Sequence, residues 1–265
     1  MGMMTQQNTH ERLARVTNPT DRSRPFAYRF VVGVLRPPLM LFTKRRWSGI
    51  ENLPSGGGYV ASTNHYSYID PLIFGHFLVD NGQVPHYLGK IEVFKVPVVG
   101  HILRAAQQIP VLRESGKASG AYQAAVEAVR KGQCVVIYPE GTLTRDPGLW
   151  PMKGKTGAAR VALETRCPLI PIANWGGQEI MGVYSKWPRL LPRKTVWVRA
   201  GAPVDLSDLY DVPLTRAVLR EATDRVMAAI TRELEVLRGE AAPAERWDPK
   251  AHGQPQIGKP SKEAS

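Results

Sequence analysis

Tyr59-Val-Ala-Ser-Thr-Asn64-His65-Tyr-Ser-Tyr-Ile-Asp70-Pro71 is the stretch from which the fold of this chain can be worked out. Its first five residues make a short run of strand length that carries no charge. A polar turn follows, and then a proline, whose fixed φ and missing N–H suit the first turn of a helix. Strand, turn and helix start are therefore expected in sequence, with the helix near 70–79.

The same alternation continues on both sides. Apolar runs near 59–63, 86–89, 108–112, 134–138, 169–173 and 195–199 read as strands, and helical periodicity appears near 70–79, 118–131, 156–165 and 214–238. The last helix has the strongest pattern. Leu214, Val218, Ala222, Val226, Ile230, Leu234 and Leu237 recur at three- and four-residue steps, and Gly239 supplies a stop. Alternation of this kind predicts an α/β fold, a mixed, largely parallel sheet flanked by helices. No internal repeat is present.

With 265 residues, 43% of them hydrophobic, the chain can bury the core of one large domain without a second. The expected organisation is a flexible basic N-terminus over 1–24, an amphipathic interfacial segment over 25–46, the α/β domain over 47–238 and a disordered tail over 239–265. The two cysteines, Cys134 and Cys167, stand beside apolar runs and read as buried thiols. A reducing compartment fits them.

The net charge of +12 calls for an anionic partner: nucleic acid, a bilayer surface or a phosphorylated substrate. Nine of the Lys and Arg residues fall within residues 1–50, against two acids, Glu11 and Asp21. Arg29, Arg36 and Pro37-Pro38 interrupt the apolar stretch there. It matches neither a secretory signal nor a bilayer span of about twenty apolar residues. Phe26, Phe30, Val34, Leu35, Leu39 and Phe42 among bases suit a helix lying in a headgroup layer. A core-packing helix with a solvated basic face is equally compatible, and both descriptions can hold together.

His65 and Asp70 are five residues apart at a strand end. A carboxylate on one imidazole nitrogen fixes the tautomer and leaves the other nitrogen to take a proton. Such a spacing is common by chance, so its weight comes from a second strand end. Cys134-Val-Val-Ile-Tyr-Pro139-Glu140-Gly141-Thr142 runs from an apolar strand into a turn in which Gly141 permits close approach and Thr142 adds a hydroxyl. Arg145, Lys153 and Lys155 follow, just before a helix start near Thr156, where cations are unfavourable for the helix unless a phosphate joins them. Gly56-Gly-Gly58-Tyr-Val-Ala61 precedes its strand and is read as a turn, not a dinucleotide site. No Gly-x-Ser-x-Gly elbow accompanies His65, which argues against a serine hydrolase. Lys186-Trp187-Pro-Arg189-Leu-Leu-Pro-Arg193-Lys194 interleaves bases with apolar residues; it suits a phosphate-binding loop, a headgroup layer or a plain exposed loop.

Together these blocks resemble the glycerolipid acyltransferases, of the 1-acyl-glycerol-3-phosphate acyltransferase (lysophosphatidate acyltransferase) type. Asn64, His65 and Asp70 match that family's first block, and Gln108-Ile-Pro-Val-Leu-Arg113 its second. Tyr138-Pro-Glu-Gly-Thr142 matches the third and Pro168-Leu-Ile-Pro171-Ile the fourth, all in order over residues 45–205. The resemblance implies transfer of an acyl group from acyl-CoA or acyl carrier protein to a lysophosphatidate-like acceptor, giving phosphatidate, with no metal or other cofactor. In it His65 is the general base and Asp70 orients the ring. Arg113, Glu140, Gly141 and Thr142 hold the acceptor, and Lys90 in Leu88-Gly-Lys90-Ile-Glu92 helps to position it. The third block departs from the family in Leu143-Thr144, where Arg-Ser is usual, with Arg145 one place beyond as a candidate replacement for the charge. The expected setting is peripheral or monotopic, on the cytoplasmic face of the cell membrane against an anionic surface, with no nucleic acid.

Overall fold

The computed structural model describes residues 26–111, 118–185 and 187–254. A seven-stranded sheet forms the centre, in the order β1-β7-β6-β2-β5-β3-β4. Its strands are β1 (Thr43–Ser48), β2 (Tyr59–Thr63), β3 (Pro85–Lys90), β4 (Ile109–Val111), β5 (Cys134–Ile137), β6 (Leu169–Trp175) and β7 (Lys194–Ala200). Every pairing is parallel except β6 with β7. The eight helices among the described residues are α1 (Phe26–Phe42), α2 (Asp70–Asp80), α3 (Ile91–Lys95), α4 (Val99–Ala105), α5 (Ala118–Arg130), α6 (Gly157–Thr165), α7 (Gly177–Ile180) and α8 (Arg216–Arg238).

The two-residue period of the strands divides the core. Val60, Val135 and Leu169 face α5, α6 and α8, where Ala158, Ala162, Ala222, Val226 and Ile230 meet them. Their neighbours Tyr59, Ala61, Val136, Ile170 and Ile172 face the opposite layer, against Ile73, Phe74 and Phe77 of α2. Central strands buried on both sides lose polar alternation, which is why they read as continuous apolar runs. Thr215 caps α8 by accepting from the Val218 N–H at 3.3 Å, and Gly239 closes it at φ 69°.

The main elements lie where the sequence predicts them, and three regions differ. Residues 43–46, expected to end the interfacial segment, form edge strand β1 together with Trp47 and Ser48. Thr43 is buried while Lys44 and Arg46 are exposed, an alternation hidden among charges. Helices α3 and α4 occupy a stretch read as a connection. Residues 240–254, expected to open a disordered tail, fold back over α8. The Ala242 N–H donates to Glu235, Arg246 pairs with Asp224 at 3.1 Å, and the Trp247 carbonyl accepts from the Lys153 N–H at 3.0 Å. Residues 1–25 and 255–265, the rest of the expected flexible ends, lie outside the described residues.

Helix α1 is fastened by one carboxylate. Asp80, at the end of α2, accepts from Arg36 Nε of α1 at 2.9 Å and from Arg45 Nη1 and Trp47 Nε1 of β1 at 3.1 Å each. His76 Nε2 stands 3.4 Å away. Burial pushes the Asp80 pKa up, but the hydrogen bonds from His76, Trp47 and Arg36 outweigh it and hold the group well below the usual carboxylate range.

Replacing Asp80 by Asn should destabilise the protein by about 1–3 kcal/mol at pH 7, a buried-network loss discounted for partly exposed partners. Because the folded-state pKa is depressed, this stability is present above the unfolded value near ~3.9 and is lost as pH falls through the folded one. Urea unfolding of both proteins at pH 7 and pH 3 should show the gap narrow at the lower pH. A gap that is constant or widens contradicts the ion network.

Candidate active site

The catalytic candidates gather beyond the C-terminal ends of β2 and β5, where free backbone N–H groups meet the start of the next element. The turn between β2 and α2 is shaped around Asp70, which is fully buried. Its Oδ2 accepts from the Tyr66 and Ser67 N–H groups at 2.8 Å each and meets His65 Nδ1 at 3.0 Å. Burial raises the Asp70 pKa, and the His65 and backbone donors oppose that rise. An ionised carboxylate only accepts, so Nδ1 carries the ring proton and Nε2 holds the lone pair. The His65 side chain keeps 17% of its surface exposed, so the ring is not sealed from outside. Its ring lies against Tyr138, with centroids 4.3 Å apart.

Glu140 follows β5 and bridges two loops. Its Oε1 accepts from the His65 N–H at 3.0 Å and its Oε2 from the Met152 N–H at 2.9 Å. The His65 carbonyl in turn accepts from the Thr144 N–H. Burial pushes the Glu140 pKa up to about 8, against the two N–H donors. Both carboxylate oxygens are thus engaged with backbone, in contrast to the acceptor-holding role implied by the resemblance.

The family model described as Acyltransferase matches residues 44–175, from β1 to the end of β6. This chain belongs to the acyltransferase family. It is 32% identical over 142 residues to a chloroplast 1-acyl-sn-glycerol-3-phosphate acyltransferase of Brassica napus, a match spanning 53% of this chain and 40% of that one. It is 26% identical over 212 residues to the 1-acyl-sn-glycerol-3-phosphate acyltransferase of Bacillus subtilis, spanning 79% of this chain and all of that one. The crystal structure of a 1-acyl-sn-glycerophosphate acyltransferase from Thermotoga maritima shares the fold at TM-score 0.59 and 20% identity, covering 89% of this chain and 91% of that one.

Around the acyltransferase pair, the other sequence-derived candidates divide. Gly141 sits at φ 69°, and a Cβ there would stand 2.8 Å from Lys155 Nζ, so the turn and that ammonium are close. Thr142 is half-buried beside it. Arg145 is buried, and its N–H meets Met152 Sδ at 3.1 Å. Leu143 and Thr144, the departures from the family pattern, are both buried, with the Thr144 hydroxyl donating to the Trp150 carbonyl at 2.7 Å. Lys153 pairs with Asp248 at 2.9 Å, so a carboxylate of residues 240–254 is its anion. Lys90 ends β3, its backbone in register with Val111. Arg113 lies outside the described residues. Both cysteines are buried, and burial pushes the Cys134 thiol up to about 12, far from a reactive thiolate. Among the described residues no group of three or more His, Cys, Asp or Glu side chains could hold a metal ion.

Sequence reasoning misses Asn174, near the end of β6. Its backbone N–H donates to Asn64 Oδ1 at 2.9 Å and its carbonyl accepts from Asn64 Nδ2 at 3.0 Å. Its own Nδ2 reaches Thr63 Oγ1 and the Asn64 carbonyl at 3.0 Å each. This clamp ties β6 to the residue preceding His65. The only signal in sequence is a polar residue closing an apolar run, which also describes an ordinary turn.

A cavity of about 390 Å³ begins at Pro71 and Leu72, directly after Asp70, and runs along α2 to His76 and Val79. Tyr28, Val32, Leu35 and Leu39 of α1 cover it, and Phe94 of α3 and Ile102 of α4 form part of the opposite wall. Val79 lies eight helical steps after Pro71, roughly 12 Å along an apolar wall.

Asn174→Ala removes the side-chain half of the clamp and keeps its backbone bonds to Asn64, leaving two buried acceptors, Thr63 Oγ1 and the Asn64 carbonyl, short of a donor. The expected cost is about 1–3 kcal/mol of stability, with a fall in kcat as the turn before His65 loosens. Urea unfolding and initial rates on the same preparation measure both. Wild-type values for each would mean that this half of the clamp holds nothing.

Proposed function

We propose that this acyltransferase moves a fatty acyl group from acyl-CoA or acyl carrier protein to the free hydroxyl of 1-acyl-glycerol-3-phosphate, forming phosphatidate at an anionic membrane surface. The observation that carries this reading is the His65 Nδ1 to Asp70 contact at 3.0 Å beside an apolar cavity whose lining includes Pro71, the residue after Asp70. The names of the Brassica and Bacillus relatives support the acceptor.

An alcohol is a weak nucleophile at neutral pH, whereas a thiolate leaves readily, so the chief need is a base at the hydroxyl. His65 Nε2 takes the hydroxyl proton as the oxygen attacks the thioester carbonyl. The tetrahedral intermediate collapses with cleavage of the C–S bond, and the proton passes from the imidazolium to the departing thiolate. Asp70 stabilises the imidazolium in between. Attack is direct, without an acyl-enzyme, in keeping with the buried thiols. The cavity under α1 takes an acyl chain, and Glu140 positions the His65 backbone instead of touching the acceptor. Arg113, Arg145 and Lys90, with the Gly141-Thr142 turn, serve the acceptor phosphate.

The exposed apolar side of α1, with Phe26, Phe30, Val34 and Leu41, gives peripheral attachment to the bilayer. No helix among the described residues is long and apolar enough to cross a membrane. Attachment at the cytoplasmic face accords with thioester donors.

His65→Ala should lower kcat by ~10²–10⁴ with folding intact by circular dichroism. Asp70→Asn should lower it by a similar or smaller factor, and the double variant should be scarcely worse than His65→Ala, because the two act as one unit. A folded His65→Ala protein keeping more than about a tenth of wild-type kcat overturns the assignment. Replacing Arg113 or Arg145 by Ala should reduce kcat/KM for the phosphorylated acceptor by roughly tenfold to a hundredfold, mostly through KM, with less effect on the donor. Labelled acyl-CoA offered with lysophosphatidate, glycerol 3-phosphate, lysophospholipid and glycolipid acceptors tests the substrate. Preference for an acceptor without a phosphate would refute it.

A further inference from the structure

The antiparallel step from β6 to β7 turns the start of β7 toward the end of the sheet that holds His65. Trp175 closes β6 opposite Trp197, so Lys194 lies beyond the C-terminal end of β6. Strand β1 runs parallel to β7 with Thr43 beside Lys194. The C-terminal end of α1, at Phe42, and the loop 187–193 therefore meet at this same sheet end. Arg193 stitches them, its Nη2 donating to the Met40 carbonyl at 3.0 Å and the Thr43 carbonyl at 2.9 Å.

This loop presents apolar side chains that the fold does not use. Trp187 is 82% exposed and Leu191 74%. Exposed Arg189 stands between them in sequence. On the inner side the loop's approach is built into the catalytic turn. The Ser67 hydroxyl donates to the Met181 carbonyl at 2.6 Å, the Arg189 N–H to the Ile180 carbonyl at 2.6 Å, and Tyr68 meets Tyr184 edge to face. Charge favours one class of partner. Residues 180–204 contain five bases and no acid, and residues 26–50 likewise five bases and no acid. Bases interleaved with exposed tryptophan, leucine and proline match a headgroup layer, where the aromatic ring sits at the interface and guanidinium groups meet lipid phosphates.

We propose that loop 187–193 is a second bilayer contact which, together with α1, fixes the orientation of the protein so that the mouth of the His65 turn faces an anionic membrane. This rests on the reading that the enzyme acts on lipid at a bilayer, and it adds a surface to that reading. Two contacts at one sheet end define a plane, whereas one helix alone would leave the domain free to swing.

The test is co-sedimentation of the full chain with phosphatidylglycerol/phosphatidylcholine vesicles, comparing wild type, Trp187→Ala/Leu191→Ala and Arg189→Glu. Loss of two buried apolar side chains should weaken binding by about tenfold or more. Arg189→Glu should weaken it on the mixed vesicles and not on pure phosphatidylcholine. Brominated lipids should quench tryptophan fluorescence of wild type more than of Trp187→Phe. Wild-type affinity in the double variant overturns the proposal. So does a vesicle-free dimer that the double variant dissociates while vesicle binding is unchanged, since the patch would then join two copies. Turnover of monodisperse short-chain substrates should be the same in the double variant as in wild type; a loss there matching the loss of vesicle affinity would assign the loop to the substrate site instead. Vesicle binding does not require turnover, so a failed His65→Ala test leaves this measurement standing on its own.

Discussion

A fully buried carboxylate must be solvated by protein, and Asp70 meets that demand at one oxygen, Oδ2, with the backbone of the turn in which it stands, while its Oδ1 has no hydrogen-bond partner among the described residues. Two consecutive N–H groups, of Tyr66 and Ser67, point at one oxygen, and the third donor is the His65 ring. The turn from Asn64 to Asp70 is wrapped around that oxygen. The same donors bear on the proposed chemistry, since a carboxylate accepting from His65 Nδ1 leaves Nε2 as the nitrogen with the lone pair.

The turn is held from outside by two side chains on the neighbouring strands and loops. Glu140 grips the His65 N–H from the β5 side, and Asn174 grips Asn64 from the β6 side. Strands β5 and β6 flank β2 in the sheet, so parallel pairing delivers both clamps to the strand end from which His65 emerges. Helix α2 carries a carboxylate at each end with opposite surroundings. Asp70 has its pKa raised by burial, while Asp80 has it held down by hydrogen bonds from His76, Trp47 and Arg36. One end orients the His65 ring and the other fastens the helix that covers the cavity.

How much of this can be read in the sequence depends on whether a residue's role is local. The runs that become β2, β5 and β6 are legible because strands buried on both faces must be apolar throughout. The His65, Asp70 and Glu140 positions are legible because they sit at the ends of such runs. Edge strand β1 is not, because Lys44 and Arg46 solvate one side of Thr43–Ser48 and Arg45 between them turns inward to Asp80, so that three consecutive bases resemble a surface segment. Asn174 is not, because its partner is 110 residues away and nothing in the sequence around it differs from a turn. Lys153 reads as part of a phosphate site until residues 240–254 fold back and bring Asp248 to it. Composition suggested disorder for that segment, yet Trp247 and Arg246 are enough to dock it.

The reversal between β6 and β7 has a consequence beyond topology. A purely parallel sheet would put the strand starts, and whatever precedes them, at the end opposite the catalytic turn. Running β7 and β1 the other way brings the end of α1 and loop 187–193 to the catalytic end. On the proposed reading, in which the acceptor is a bilayer lipid, His65 has to face that bilayer. A sheet with its last pair of strands reversed then meets this need using covalent connectivity alone. The basic and apolar residues that do not serve the core are then left on the side where lipid would be met.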